Sequence, residues 1–235
     1  MIVHFRIGIL GDTHGNAAGL NICIKYLLNH GVHTLIHLGD AVGYMPHGNE
    51  VCNMLLQNNA ISIMGNHEAM LFNLQPISPE KDAVYGLKRL RTALPSAWLR
   101  SVEANGPMLH LDVGGRRLLL CHGTPQDPLS GYGHNPDAIH VPDGIDCVLT
   151  AHTHRPHLTI RDGTLLLNPG SCGMPRDSGR LLSFAILEFP EMKAKIIRLP
   201  FTPSPKLLQA VHPLVRKCFD RNESHIIAAA KECCS

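Results

Sequence analysis

Aromatic residues are scarce in this chain: one tryptophan, four tyrosines and six phenylalanines make up 5% of its 235 residues. No basic run interleaves with them, and the net charge is only +2. The composition therefore gives no support for a dedicated nucleic-acid-binding surface, although it leaves a nucleotide open as a small substrate. No apolar run approaches the roughly 20 residues that cross a bilayer. Residues 1–10, interrupted by His4 and Arg6, are too short for a signal peptide. Cys-x-x-Cys pairs are also missing. Cys23, Cys52, Cys121, Cys147, Cys172 and Cys218 stand singly, and only Cys233 and Cys234 are adjacent. That spacing predicts reduced, mostly buried thiols and a cytoplasmic location without membrane attachment, with Cys233 and Cys234 in a frayed tail. Gly8-x-x-Gly11 falls short of the dinucleotide fingerprint, and neither a Gly-Lys-Ser/Thr phosphate loop nor a Gly-x-Ser-x-Gly elbow occurs.

What the chain does have is apolar runs that end abruptly in polar residues, and 16 histidines. Residues 6–10 run into Gly11-Asp12-Thr13-His14-Gly15, and residues 34–38 into Gly39-Asp40. Residues 61–64 lead to Gly65-Asn66-His67-Glu68, and residues 118–121 to His122-Gly123. Residues 147–150 precede Ala151-His152-Thr153-His154, and residues 165–168 precede Pro169-Gly170-Ser171. Apolar runs of four or five residues bounded by glycine have the length of buried strands.

Helices fit between the first three runs. Asn16 can cap one with Leu20, Ile24, Leu27 and Leu28 on its face, closing at residues 29–31. Asn49 can cap another that carries Val51, Met54 and Leu55. Such alternation predicts a layered α/β fold whose sheet begins largely parallel, and ligands of such sheets bind at the carboxyl ends of the strands. The second half is richer in strands: residues 108–113 and 117–121 around Gly114-Gly115, 158–160 and 165–168 around a turn, and 181–189 with 193–199. The expected architecture is a two-sheet β-sandwich flanked by helices. Ser78-Pro79 should open a helix running to Leu94, with a shorter one around Trp98. The expected organisation is a catalytic domain over residues 1–202 and a helical C-terminal tail over 203–235, with Leu207, Val211, Leu214 and Val215 on one face.

Each motif alone is weak, since a single Gly-Asp or Asp-x-His is commonly a capped turn. Six of them, each at a strand end, fit one chemistry. Hydrolysis of a phosphate ester needs a nucleophile that is strong at neutral pH and cations to neutralise phosphoryl charge, which a pair of metal ions supplies. Imidazole and oxygen donors without cysteine suit Mn²⁺, Fe or Zn²⁺ in a catalytic site and disfavour a structural zinc.

Asp12-x-His14, Gly39-Asp40-Ala-Val-Gly43, Gly65-Asn66-His67-Glu68, Cys121-His122-Gly123 and His152-x-His154 resemble the calcineurin-like metallophosphoesterase superfamily. The resemblance runs from about Arg6 to Leu199. It is nearest to the compact bacterial phosphodiesterase and phosphatase branch through residues 38–44, 122–125, 168–171 and 175–177. It implies two divalent metal ions, Mn²⁺ foremost with Fe, Ni or Zn as alternatives. Asp12, His14 and His154 would hold one ion, Asn66, His122 and His152 the other, and Asp40 would bridge. His67 would be an outer-sphere acid with an ordinary imidazole pKa near 6.5, and the reaction would be hydrolysis of phosphomonoesters or phosphodiesters, nucleotides and dinucleoside polyphosphates included. A phosphoprotein phosphatase shares the same core, and a non-catalytic scaffold shares the fold but typically loses the ligands or the Asn-His pair retained here.

The chain departs from the family at two positions. Ala151 stands where relatives carry glycine, and its methyl would shift His152 if the backbone there needs positive φ. Gln126 stands where relatives carry an arginine near the phosphate. Arg176, in Pro175-Arg-Asp177, is a candidate phosphate-binding guanidinium, with a salt bridge as its structural alternative. His33, His37 and His157 are expected to be structural, and Trp98 to be core or lid. The segments 68–106 and 123–146 should line the cleft, with Gln126 and Tyr132 nearer the metals than the N-terminal helix is. No partner protein and no oligomeric state are indicated.

Overall fold

The computed structural model describes residues 4–222; Cys233 and Cys234 lie outside the described residues. Two mixed five-stranded sheets stack face to face. The first has the order β10-β9-β1-β2-β3, from β1 (Phe5–Leu10), β2 (Thr34–His37), β3 (Ile61–Ser62), β9 (Leu181–Phe189) and β10 (Lys193–Pro200). The second has the order β4-β5-β6-β8-β7, from β4 (Met108–Val113), β5 (Arg116–Cys121), β6 (Cys147–Leu149), β7 (His157–Arg161) and β8 (Thr164–Asn168). The strands β1, β2 and β3 are parallel, as are β5, β6 and β8. Alternation along β1 sends Ile7 and Ile9 between the sheets, where they join Ile36, Leu38, Leu118, Leu120, Leu149, Leu167 and Leu187.

The outer face of the first sheet is covered by helices. In α1 (Ala17–Asn29), Asn16 Oδ1 accepts the Gly19 N–H, and Leu20, Cys23, Ile24 and Leu27 form the buried stripe. Leu28 does not belong to it; it is 40% exposed, and Cys23 takes the inward place. The next helix, α2 (Gly48–Gln57), begins one turn position earlier than Asn49, which lies inside it and whose Oδ1 accepts from Asn53. The expected helix from residue 79 to Leu94 is broken into α4 (Pro79–Tyr85) and α5 (Leu87–Leu90), because Gly86 takes φ 68 and closes the first as a left-handed cap. Trp98, in α6 (Ser96–Asn105), is core. The strand expected over 61–64 is only two residues long; Met64 N–H leaves the ladder to reach Gly106 O, which frees Gly65 for the site.

At the C-terminal end, α7 (Pro205–Ala210), α8 (Pro213–Arg216) and a 3-10 turn (Lys217–Asp220) bury Leu207, Val211, Val215 and Phe219 in the same core as α1. Leu214 points out instead, 58% exposed. A short helix, α3 (Asn66–Leu71), follows β3.

Candidate metal centre

The parallel strands of both sheets end at one edge of the sandwich, and the predicted ligands gather there. Asp12 and His14 follow β1, Asp40 follows β2, Asn66 and His67 open α3, His122 follows β5, and His152 and His154 follow β6. All eight are buried. Five have left-handed backbone: φ is 50° at Asp12 and His14, 56° at Asp40 and His154, and 64° at His152. Each such non-glycine residue costs on the order of 1–3 kcal/mol. The strain turns consecutive ligand-type side chains toward common points, which straight strand continuations would send to opposite faces.

Two points collect the donor atoms. At the first, Nε2 of His14 and Nε2 of His154 approach to 3.0 Å, and Asp12 Oδ1 lies 3.6 Å from the latter. At the second, His122 Nε2 is 3.1 Å from Asn66 Oδ1 and 3.2 Å from His152 Nδ1. Asp40 Oδ2 stands between them, 3.7 Å from His14 Nε2, 3.5 Å from His122 Nε2 and 3.9 Å from His67 Nε2. Asp12-His14-His154, His14-Asp40-His67 and Asp40-His122-His152 are each able to hold a metal ion.

The hydrogen bonds fix what those atoms are. His14 Nδ1 faces Val42 O at 3.3 Å, His154 Nδ1 faces Met174 O at 2.6 Å, and His122 Nδ1 faces Leu38 O at 2.7 Å. A carbonyl can only accept, so these rings carry their protons on Nδ1 and turn the Nε2 lone pairs to the site. Two imidazole lone pairs at 3.0 Å repel unless a cation or proton lies between them. Asp12 Oδ1 is likewise buried with no hydrogen-bond partner. This donor set fits divalent metal ions, with imidazole and carboxylate oxygen and no thiolate.

The electrostatics agree. Burial lowers the pKa of His14 and His154 far below the ordinary imidazole value and that of His152 to about 3, so these rings are neutral. Burial, reinforced by the charge of Asp40, raises Asp12 to about 8. Burial also opposes ionisation of Asp40, but the imidazoles of His122, His67 and His14 outweigh it and hold the carboxyl well below its usual range. His122 is pushed up to about 9, Asp40 overcoming the effect of burial. In the metal-free protein His122 thus takes a second proton on Nε2, which stands where a cation would and leaves when one binds.

Glu68 carries no role in the sequence reading, yet it holds the site together. Its Oε2 accepts the N–H groups of Asp40 and Gly65, each at 2.8 Å, and its Oε1 accepts that of Ala41 at 2.9 Å. Asp40 Oδ1 in turn accepts the His67 N–H at 2.9 Å. Gly65 admits this approach, since a Cβ there would lie 2.2 Å from Asp40 Oδ1.

The walls come from both expected segments. Tyr85 stacks on His67 with ring centroids 4.5 Å apart, and Tyr44 packs edge-on against His14 at 4.7 Å. Tyr132 leans on His152 with ring centroids 4.3 Å apart. Arg176 is half-buried and close enough for its charge to act on Asp12, His14 and His154. Gln126 does not share this position: its Nε2 donates to His140 O at 2.8 Å, tying its own loop together. Ala151 needs no left-handed backbone; that conformation falls on His152 and His154. The methyl therefore costs no strain and packs at the sheet interface. His67 lacks the ordinary pKa expected of it, because burial lowers it against the pull of Asp40. His37 is structural, its Nε2 2.9 Å from Thr13 Oγ1, and His157 lies outside the three clusters.

A β-sandwich that gathers imidazoles and carboxylates at the carboxyl ends of both sheets has the architecture of the metallophosphoesterases. The calcineurin-like phosphoesterase superfamily domain matches residues 5–192, and the chain belongs to that family. An uncharacterised protein of Methanocaldococcus jannaschii is 26% identical over 225 residues, covering 85% of this chain and 89% of that protein. A phosphodiesterase of the same organism is 23% identical over 171 residues, 71% of this chain and 84% of its own length. The crystal structure of a metallophosphoesterase from Sphaerobacter thermophilus superposes with a TM-score of 0.70 at 22% identity, over 94% of this chain and 100% of that one.

Proposed function

We propose that the protein is a metal-dependent phosphoesterase that hydrolyses small phosphodiesters or phosphomonoesters, with two divalent ions, Mn²⁺ foremost. The observation that carries this reading is the pair of facing lone-pair clusters, His14-His154-Asp12 and Asn66-His122-His152, on either side of Asp40 Oδ2. Asp12, His14 and His154 would hold one ion, Asn66, His122 and His152 the other, and Asp40 both. When bound, such ions lower the pKa of water and neutralise charge on the phosphoryl oxygens.

The chain's own groups do the rest. Arg176, whose charge is felt at Asp12, His14 and His154, supplies a guanidinium to a non-bridging phosphoryl oxygen. His67, held by its backbone bond to Asp40 and by stacking on Tyr85, offers an N–H to the departing oxygen. With its pKa lowered, the ring is mostly neutral near pH 7, and its protonated form, a stronger acid than a free imidazolium, is the one that gives the proton to the departing oxygen. Tyr44, Tyr85 and Tyr132 narrow the approach and keep bulk water from the reacting groups. The phosphodiesterase relative favours a diester substrate. The six described cysteines, all free and buried, are consistent with the cytoplasmic location inferred from sequence. Metal-stripped protein assayed with Mn²⁺, Ni²⁺, Fe²⁺, Mg²⁺ and Zn²⁺ against a panel of phosphomono- and phosphodiesters tests the proposal. Hydrolysis restored best by Mn²⁺ is expected; hydrolysis of none of them with any metal would end it.

A further inference from the structure

Beside the metal cluster lies a cavity of about 630 Å³, the size of a small-ligand site. Its inner wall is shared with the reaction centre. Tyr44 and Tyr85, which touch His14 and His67, and Met174, whose carbonyl holds His154, all line it, and Arg176 projects from the same wall. The outer walls come from α4 on one side, through Lys81 and Val84, and from residues 214–221 on the other, through Leu214, Lys217 and Arg221. Four cations face one carboxylate, that of Glu80. The apolar part of the lining includes Leu214, the residue that turned out of the core.

This C-terminal wall is built into the fold. Phe219 and Val215 anchor it in the main core. Gly179 N–H donates to Arg221 O at 3.0 Å, Ser178 pairs with Asn222 as a β-bridge, and a Cβ on Gly179 would lie 2.0 Å from Cys218 O. The family match ends at residue 192, ahead of this C-terminal segment.

We infer that α4 and the C-terminal segment form a second substrate subsite, which holds the non-reacting part of a phosphodiester: an apolar-bodied group bearing a further anionic charge, as in a nucleotide with a second phosphate. The inference rests on the phosphoesterase reading for the orientation of the substrate, with the scissile phosphate at Arg176. Tyr44 and Tyr85 offer aromatic surface on the inner wall, and Lys81, Lys217 and Arg221 meet the distal charge. These three cations are exposed, so each contributes modestly and in a salt-dependent way.

The test uses two esters that differ by one phosphate, thymidine 5′-(p-nitrophenyl phosphate) and the same compound carrying a 3′-phosphate. The full chain should prefer the second in kcat/KM. Lys217→Ala with Arg221→Ala should reduce that preference about tenfold, chiefly through KM, and Lys217→Glu with Arg221→Glu should reduce it further. Arg116→Ala, at the start of β5 where it pairs with Asp146, should leave the preference as it is. Calorimetric binding of thymidine 3′,5′-bisphosphate to the metal-free full chain gives a readout without turnover, and it should weaken by the same factor in the double variant. If neither ester is hydrolysed with any metal, the phosphoesterase reading fails while the binding measurement still decides the subsite. Equal preference in wild type and double variant, or equal binding, overturns the subsite.

Discussion

Gly65→Ala is a one-methyl perturbation of a residue that binds nothing. Its φ of −95° suits alanine, so backbone strain plays no part and the effect is one of space. The new Cβ would sit 2.2 Å from Asp40 Oδ1 and 2.5 Å from Asp40 N, while a relaxed contact needs more than 3 Å. Either the Asp40 loop or the start of α3 must therefore move by roughly 1 Å, in a core too dense to absorb it. That shift breaks geometry at the His67 N–H to Asp40 Oδ1 bond and at the two N–H bonds to Glu68 Oε2. Overpacking of this kind costs about 1–3 kcal/mol, which for a chain of this size lowers Tm by about 2–12 °C. Misplacing a positioned group by about 1 Å costs on the order of 100-fold in turnover. The assays are thermal melting, metal content after dialysis, and Mn²⁺-supported diester hydrolysis. Gly31→Ala is the control: its φ of 72° penalises alanine, but nothing lies within 4 Å, so stability should fall while metal content and turnover hold. A Gly65→Ala protein with wild-type metal content and turnover would refute the argument that Asp40 is held in place by this close approach.

Other substitutions probe the roles separately. Asp40→Asn removes the charge that faces both clusters, so metal content and turnover should fall together; metal analysis alongside the assay checks this, and full occupancy with near-normal activity would contradict it. His67→Ala should lower kcat by about 10²–10⁴-fold with metal content intact. That loss should be large for a poor leaving group and small for a nitrophenyl ester, and a comparison of the two esters distinguishes a proton donor from a purely electrostatic role. Above about pH 7, where the histidines of lowered pKa are neutral in both folded and unfolded chains, the metal-free protein should lose stability as pH rises. Asp12 goes from 3.8 to about 8 and His122 from 6.5 to about 9, so the folded state binds protons that the unfolded chain has released. Their stabilisation is complete below about pH 4 for Asp12 and pH 6.5 for His122, and is lost as pH climbs through 8 and 9. Metal ions displace those protons, so the rise in Tm on adding Mn²⁺ should be larger at pH 8 than at pH 6; a gain independent of pH would count against these protonation states.

The strand ends were legible in the sequence because the chain marks them: four buried runs stop at a Gly-Asp, Gly-Asn-His or His-Gly step, one at Ala-His-Thr-His and one at Pro-Gly-Ser, and parallel strands gather such ends on one edge. The pairing of ring nitrogens was not legible, since it depends on carbonyls of Leu38, Val42 and Met174 that come from distant segments. The left-handed backbone at Asp12, His14, Asp40, His152 and His154 left only a weak trace, the tolerance of Asp and His for that region. Glu68 could have been found as the third residue of a helix whose N-terminus abuts the Asp40 loop, but the bonds it makes to Asp40 and Ala41 span 28 and 27 residues. The break at Gly86 was available as a glycine inside a helical pattern, although an isolated glycine is often tolerated there. Tyr132 was legible from its place in a loop between two metal motifs, whereas Tyr85 reaches His67 only through tertiary packing that no local pattern announces.

The central claim is that the two facing clusters hold metal ions that support phosphoester hydrolysis. Titrating metal-stripped full-length protein with Mn²⁺, while following both bound metal and hydrolysis of bis(p-nitrophenyl) phosphate, tests it most directly. The account predicts that activity rises with bound Mn²⁺ and reaches its plateau at two ions per chain. Saturation at a single ion, or hydrolysis unaffected by removing and restoring metal, would contradict it.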